Sequence, residues 1–398
     1  MSTTILALSS YEKGNDFLRQ SAASGARTFL LTVEKLRDAP WPRELLADVF
    51  LLPTFDEHAH VVNAVSYLAR SEKIDRIVAL DEFDMELAAL LREHLRIPGM
   101  SVTTTRGVRD KLAMRDIAAA AGIRVPPFVG VINHATVADF MESVPAPWLL
   151  KPRTQASAIG IRKIHRAEEL WPVLEQLGDM QSHHLLEQFV PGDVFHVDGV
   201  VTDGTVRFAE THQYAQPPFD TMHGGGIFCS RTMERGGEDE QALREQLDAL
   251  VTAVGLEDAV VHAEFIRARD GGAFHFLEIA ARVGGANIAD MVEAASGVNL
   301  WREWANLEIA LAQDVPWEVP ETRQRHAGVV ISLARQEWPD TSSYDDPEIV
   351  WRMKKKSHVG LIVAADDAAR VRSLTDGYMH RFRDDFMASL PAPEKATN

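Results

Sequence analysis

The sequence predicts two architectures in one chain: an N-terminal α/β part on a parallel sheet, and an α+β remainder on antiparallel strands. Three observations carry this. Residues 1–100 alternate short apolar runs with segments of helical spacing. Residues 101–185 change to helices around a strand–loop–strand unit. From 186 to about 280 strand-like runs dominate, several of them separated by Gly-rich turns. At 398 residues the chain exceeds one ordinary domain. The expected boundaries are 1–104, 105–185 and 186–398, with a C-terminal α+β extension from about 320.

The elements follow in order. "TTILALSS", "ARTFLLTV", "DVFLLP" and "DRIVALDEFD" read as strands, and "NDFLRQSAASG", "HVVNAVSYLARSEK" and "MELAALLREHLRIPG" as helices between them. This rhythm implies a doubly wound, Rossmann-like sheet. The acidic start of the third helix, "DEFDMEL", reads as capping and helix-dipole chemistry. "VRDKLAMRDIAAAAGIRVPP" reads as one helix stopped by Gly and Pro, and "APWLLKPRTQASAIGIRKI" as strand, loop and strand. "AEELWPVLEQLG" is helical. The strands "LLEQFV", "DVFHVDGVV", "GTVRFAETHQY", "AVVHAEFIRA" and "GAFHFLEIA" suggest antiparallel sheet. One helix is expected at 288–313, then "HAGVVISLARQ", "HVGLIVAAD" and a final helix.

Several functions are excluded early. The turn after the first strand, "LSSYEKGND", lacks G-x-G-x-x-G, so no dinucleotide site is expected there, and no G-x-x-x-x-G-K-[ST] occurs. A formal net charge of −17 argues against a nucleic-acid surface, although a few local cations can still hold a phosphorylated ligand. No apolar run approaches the ~18 residues of a membrane span. The start has no basic n-region and reads as a first strand rather than a signal peptide. The lone Cys229 rules out an internal disulfide, which fits a reducing, cytoplasmic compartment, and it reads as packing rather than a nucleophile.

The strongest signal from the residues themselves is "VVHAEFIRARDGGAFHFLEIA". With Asp270-Gly271-Gly272 as the hairpin loop, Arg269 faces Ala273 and Glu264 falls opposite Glu278. Alternation puts His262 and Ala280 on the same face, and Phe265, Leu277 and Ile279 on the other. Two opposed carboxylates repel unless a cation lies between them. An all-oxygen pair without a His or Cys cluster suits Mg²⁺ or Mn²⁺ rather than zinc. On an arbitrary hairpin the two would more often share a solvated face; the neighbouring Arg282 and the segments below argue otherwise.

Taken in order and spacing, "RDKLAMRDIAAAAGIRVP", "WLLKPRTQASAIGI", "LLEQFVPGD", "HAEF" and "LEIAARVGG" resemble the ATP-grasp enzymes over roughly 1–310. Within that superfamily the chain most resembles the carboxylate–amine ligases, including bacterial L-amino acid ligases; "LDEFDMELAALLREHLRIPG" supports that subgroup. The resemblance implies a pre-ATP-grasp N-terminal domain, a small lid of about 115–185 and a large subdomain. It implies ATP and Mg²⁺ (or Mn²⁺) as cofactors. Lys111 and Lys151 would reach the phosphates as point charges on long stems. Ser157 would donate from the closing loop. Glu187 would sit near the adenine amine, with the backbones of Gln188 and Val190 as acceptor and donor. Val194 stands where many relatives carry a ribose-binding glutamate; Asp193 or Asp198 are the available substitutes. Glu264 and Glu278 would hold the metal, and Ala280 stands where the family often has Asn. Arg282 would lie beside the transferred phosphoryl group as the catalytic cation. Gly284 and Gly285 would let the backbone approach substrate.

The reaction implied is acyl-phosphate formation from a carboxylate and ATP, then attack by an amine, giving an amide or peptide bond, ADP and phosphate. Small-molecule acids and amines of amino-acid type are the partners implied, and a homodimer is the assembly expected. The connection 211–232 is rich in Gly, Pro, His and aromatics, as functional loops often are. His212, Tyr214, His223 and Arg231 are its candidate substrate contacts, joined by His262 on the metal face. Two competing readings are an ATP-grasp carboxylase or carbamoyl-phosphate-forming enzyme, and a non-catalytic ATP-binding module.

Overall fold

In the computed structural model the described residues are 2–156, 159–224, 226–269 and 272–388. The first part runs β1 (Thr4–Ser9), α1 (Asn15–Ala23), β2 (Arg27–Val33), β3 (Asp48–Leu52), α2 (His58–Leu68), β4 (Arg76–Ala79), α3 (Met85–Leu95) and α4 (Val102–Gly107). The strands form a parallel sheet in the order β3-β2-β1-β4. β1 and β4 are buried at every position, because helices cover both faces of such a sheet. The order reverses beside β1, so the ends of β1 and β4 open onto a crevice.

The second part is α5 (Lys111–Ala120), β5 (Phe128–Gly130), α6 (His134–Ser143), β6 (Trp148–Pro152), β7 (Arg162–Ile164), α7 (Ala167–Leu177) and β8 (His184–Gln188). Its sheet order is β5-β8-β6-β7. Trp148, Leu150 and Leu186 point into a small core shared with Val137 of α6 and Leu170 and Leu174 of α7. Alternation therefore turns Leu149, Lys151 and Glu187 to the opposite face.

The third part is β9 (Gly192–Thr202), β10 (Thr205–Tyr214), α8 (Pro218–Gly224), β11 (Phe228–Thr232), α9 (Glu238–Val254), β12 (Ala259–Ala268), β13 (Phe274–Ala280), α10 (Ile288–Ser296), α11 (Leu300–Gln313), β14 (His326–Leu333), β15 (Ile349–Arg352), β16 (His358–Ala365) and α12 (Ala368–Asp385). One antiparallel sheet joins these strands in the order β13-β12-β9-β10-β11-β14-β16-β15. The C-terminal strands thus extend the same sheet instead of building a separate one. The first and third parts share one apolar core. α1 packs on α11, where Phe17 meets Trp304 edge-on at 5.6 Å, and Arg76 donates to buried Glu308 at 2.6 Å. No helix of the described residues is long and apolar enough to cross a membrane.

Several local expectations change. The helix expected at 288–313 is two helices: Gly297 takes φ 83°, and Asn299 caps the second by accepting from the N–H groups of Trp301 and Arg302. The helix expected from "VRDKLAMRD" begins only at Lys111, because Asp110 caps it through the Leu112 N–H at 3.0 Å. α9 lies inside a stretch read as strand-dominated. Leu243, Leu247, Leu250 and Val251 give it a buried stripe at helical spacing, and its first turn is acidic. The supposed connection 211–232 contains the end of β10, then α8, then β11.

Candidate active site

A cavity of about 440 Å³ lies between the Leu149, Lys151 and Glu187 face of the β5-β8-β6-β7 sheet and the β10-β9-β12-β13 end of the large sheet. Lys111, Lys151, Glu187, Gln188, Val190, His262, Glu264, Glu278, Arg282 and Gly285 all line it. They come from α5, β6, β8, β12, β13 and the loops after β8 and β13, so only folding brings them together.

The two lysines are buried, each 9% exposed, and both already hold carboxylates. Lys111 Nζ lies 2.9 Å from Glu278 Oε2 and donates to the Gln155 carbonyl at 2.6 Å. Lys151 pairs with Glu187, which also accepts from Arg115 Nε at 3.1 Å and Nη2 at 2.9 Å. Burial alone would raise the Glu187 carboxyl, yet Arg115 and Lys151 hold it below the usual range. The Glu187 side chain, expected near adenine, is thus committed to two cations. The N–H of Val190 has no hydrogen-bond partner among the described residues and remains available as a donor.

Glu264 and Glu278 are cross-strand partners, but not by the simple loop count. Near the turn Arg267 faces Phe274, one residue out of the expected register, and a β-bulge between Glu264 and Phe265 restores it. The loop residues Asp270 and Gly271 lie outside the described residues. The bulge also corrects one face assignment: Leu277 turns to the cavity side and packs with Val194, Tyr214 and Ile266, whereas Phe276 joins Phe265 in the core. The Leu277 carbonyl accepts from Arg115 Nη1, so the irregular backbone is satisfied.

The sequence reading held that no histidine cluster accompanies this pair; the structure corrects that. β9 registers Asp198 with His262 and His196 with Glu264, and β10 registers His212 with His196. His196 Nδ1 bonds Asp198 Oδ2 at 2.6 Å, its Nε2 meets Ser230 Oγ at 2.6 Å, and His262 Nδ1 bonds Asp198 Oδ1 at 2.8 Å. His262 Nε2 lies 3.5 Å from Glu264 Oε1, which also accepts from the Tyr214 hydroxyl at 2.7 Å. Burial works against the charge on His262, but Asp198 and Glu264 push it up to about 10. Burial takes His196 down to about 4 despite Asp198. Burial would raise Asp198 too, but His262 and His196 hold it well below the carboxylate range. The available signal was a period-2 run of polar residues on three buried strands: His196 and Asp198; Glu210, His212 and Tyr214; His262 and Glu264.

Arg282 meets a partner that the sequence reading missed. Its Nε donates to Glu82 Oε2 at 2.7 Å, and Arg109 Nη1 donates to Glu82 Oε1 at 3.2 Å. "DEFDMEL" is therefore not all capping chemistry. Asp81 does accept from the Phe83 N–H at 3.0 Å, but Glu82 reaches across to the loop after β13. Burial would raise the Glu82 carboxyl, and Arg282, Arg109 and Lys111 overcome it and hold it near 2. A depressed carboxyl contributes stability that is present above its unfolded pKa and lost as pH falls through the folded value. The expected result is a loss of about 3 kcal/mol between pH 4.5 and 2, which Glu82→Gln removes from the pH profile. Urea titrations at stepped pH measure it; an identical acid limb in the variant would show that Glu82 carries none of it.

Other expected contacts fall elsewhere. Asp193 is exposed on the face of β9 opposite Val194, so it does not reach the cavity, and Asp198 is fully buried among histidines. Val194 itself is an apolar part of the wall. His212 is 0% exposed and lies behind His196, its Nδ1 3.3 Å from Asp198 without hydrogen-bond alignment. Arg231 donates to Thr375 Oγ1 at 2.6 Å and pairs with Asp376, away from the cavity, whereas Tyr214 lines it. Ser157 and the His223 side chain lie outside the described residues. Cys229 is buried in an apolar cluster between β14, β16 and α12, and burial pushes its thiol up to about 11. Gly285 borders the cavity with open space around it. Gly284 serves a different contact: a Cβ there would stand 2.8 Å from Asp198 Oδ1.

A divalent cation fits this donor set. Glu264 and Glu278 face one cavity from adjacent strands, and the Lys111 ammonium balances Glu278 in the structure.

The family model described as an ATP-grasp domain matches residues 144–290. The L-arginine-specific L-amino acid ligase of Bacillus subtilis is 24% identical over 269 residues, covering 64% of each chain. The alanine–anticapsin ligase of Bacillus subtilis strain 168 is 23% identical, over 60% of this chain and 55% of that one. The chain therefore spans less than two thirds of the length of these relatives. The L-amino acid ligase of Bacillus licheniformis superposes with a TM-score of 0.76 at 16% identity, covering 97% of this chain and 98% of that one. A carboxyaminoimidazole synthetase of Staphylococcus aureus, solved with ADP, gives 0.73 at 15% identity over 95% and 98%. Residues 144–290 thus match an ATP-grasp domain, and nearly the whole chain shares the fold of the L-amino acid ligase of Bacillus licheniformis.

Proposed function

We propose that this protein is an ATP-dependent carboxylate–amine ligase that joins amino-acid-like substrates through an acyl phosphate. The carrying observation is the convergence of Glu264, Glu278, Lys111, Lys151 and Arg282 on one cavity. Adenine is held by the Gln188 carbonyl and the Val190 N–H, above the apolar wall of Val194, Ile266 and Leu277. Lys111 and Lys151 leave their carboxylates for the phosphates. Glu264 and Glu278 would hold Mg²⁺ or Mn²⁺, which would supply neutralisation of the phosphate charge. Arg282 faces the charge that develops as the substrate carboxylate attacks the γ-phosphate. The β5-β8-β6-β7 sheet and residues 217–221 exclude water that would hydrolyse the acyl phosphate before the amine attacks. The similarity to the L-arginine-specific L-amino acid ligase of Bacillus subtilis supports amino acids as substrates. The reading includes a cytoplasmic location.

The test is purified protein with ATP, Mg²⁺ and pairs of amino acids, following nucleotide products. ADP and phosphate are expected only when acid and amine are both present. AMP and pyrophosphate would refute the acyl-phosphate route, and a bicarbonate requirement would turn the reading to a carboxylase.

A further inference from the structure

We propose that His262 is a third protein ligand of the divalent cation, binding through Nε2, and that the site therefore favours Mn²⁺ over Mg²⁺. The proposal rests on the metal reading of Glu264 and Glu278 given above.

The geometry is that of a ligand held from behind. His262 is 6% exposed and borders the cavity. Its Nδ1 is bonded to Asp198 Oδ1 at 2.8 Å, and Nε2 lies on the cavity side, where the cation would displace its proton to solvent. A ligating histidine characteristically gives its other nitrogen to a carboxylate in this way. Nε2 stands 3.5 Å from Glu264 Oε1. Two donors bound at about 2.1 Å to one octahedral ion lie roughly 3.0 to 3.4 Å apart, so small shifts bring both onto one cation.

The support behind the ring is rigid. Asp198 is 0% exposed and is anchored by His196 at 2.6 Å, which is anchored by Ser230 at 2.6 Å. The loop after β13 closes the other side: a Cβ on Gly284 would stand 3.1 Å from His262 Nδ1. Directly across the strand pair from His262 is Ala280, whose methyl offers no donor. At that level of the β12–β13 pair the imidazole is the group able to complete the shell. A nitrogen donor raises affinity along the series from Mn²⁺ onward and does little for Mg²⁺, which takes oxygen.

The test is electron spin-echo envelope modulation of Mn²⁺ bound to the full chain with ADP, amino acids omitted. Two preparations are compared, one of them grown with [¹⁵N]histidine. The expected result is a directly coordinated nitrogen whose coupling changes from ¹⁴N to ¹⁵N in the labelled protein. Adenine nitrogen would not change. His262→Gln loses that coupling and binds Mn²⁺ at least tenfold more weakly, with a smaller change for Mg²⁺. Asp198→Asn, acting through His262, weakens Mn²⁺ by about 10- to 100-fold. Mn²⁺ bound through Glu264 and Glu278 with no histidine nitrogen overturns this proposal and leaves the metal reading standing. Mn²⁺ affinity unaffected by Glu264→Gln and Glu278→Gln overturns both. The isotope comparison uses the unaltered chain, so it decides the point even where a variant fails to fold.

Discussion

Arg282→Ala lowers kcat by about 10³-fold, with a much smaller effect on KM for ATP. The guanidinium, in the loop after β13, lines the same cavity as Glu264 and Glu278, and in the proposed reaction it faces charge that develops only as phosphoryl transfer proceeds. An interaction made in the transition state alone appears in kcat. Glu82 holds Arg282 strongly protonated and in place, although burial opposes the charge. The variant keeps its fold, because Glu82 retains Arg109 at 3.2 Å and is not left as an unpaired buried charge. Initial rates of ADP release, with circular dichroism as the control, measure the effect. A folded variant turning over at the normal rate would remove Arg282 from the chemistry.

Glu187→Ala destabilises the protein by about 3–5 kcal/mol, the cost of leaving buried charges without their partner. Arg115 is 0% exposed and Lys151 9%, and Glu187 is the carboxylate between them. Arg115 keeps one acceptor, the Leu277 carbonyl at the bulge, so the loss spreads to the strand that carries Glu278. Glu187→Gln keeps an acceptor and the shape, and costs less. Urea unfolding of both variants measures the difference. Near-native stability of the Ala variant would mean that water reaches both cations.

The parallel and antiparallel sheets were legible because each strand alternates or buries on a scale of a few residues. The carboxylate pair was legible too, since Glu264 and Glu278 lie on adjacent strands of one hairpin. The register near the turn was not: a bulge shifts it, and Leu277 turns toward the cavity. His212 falls where a strand run meets the Gly/Pro-rich connection, and its burial behind His196 in β10 is set by the neighbouring strands. α9 was readable from Leu243, Leu247 and Leu250, and the surrounding strand runs masked it.

What the chain determined on its own is therefore local: strands, faces and one acidic pair, whereas the two lysines were placed by the family resemblance. Periodicity is a relation between near neighbours, and it carries that much. The histidine–aspartate network needed the order β10-β9-β12, in which strands distant in sequence lie side by side. The Glu82–Arg282 pair spans 200 residues and exists because the first sheet docks on the third part through a shared core. Which carboxylate meets which guanidinium was decided by that docking, since charge pairing at such separation depends on buried area and shape, which no short pattern encodes.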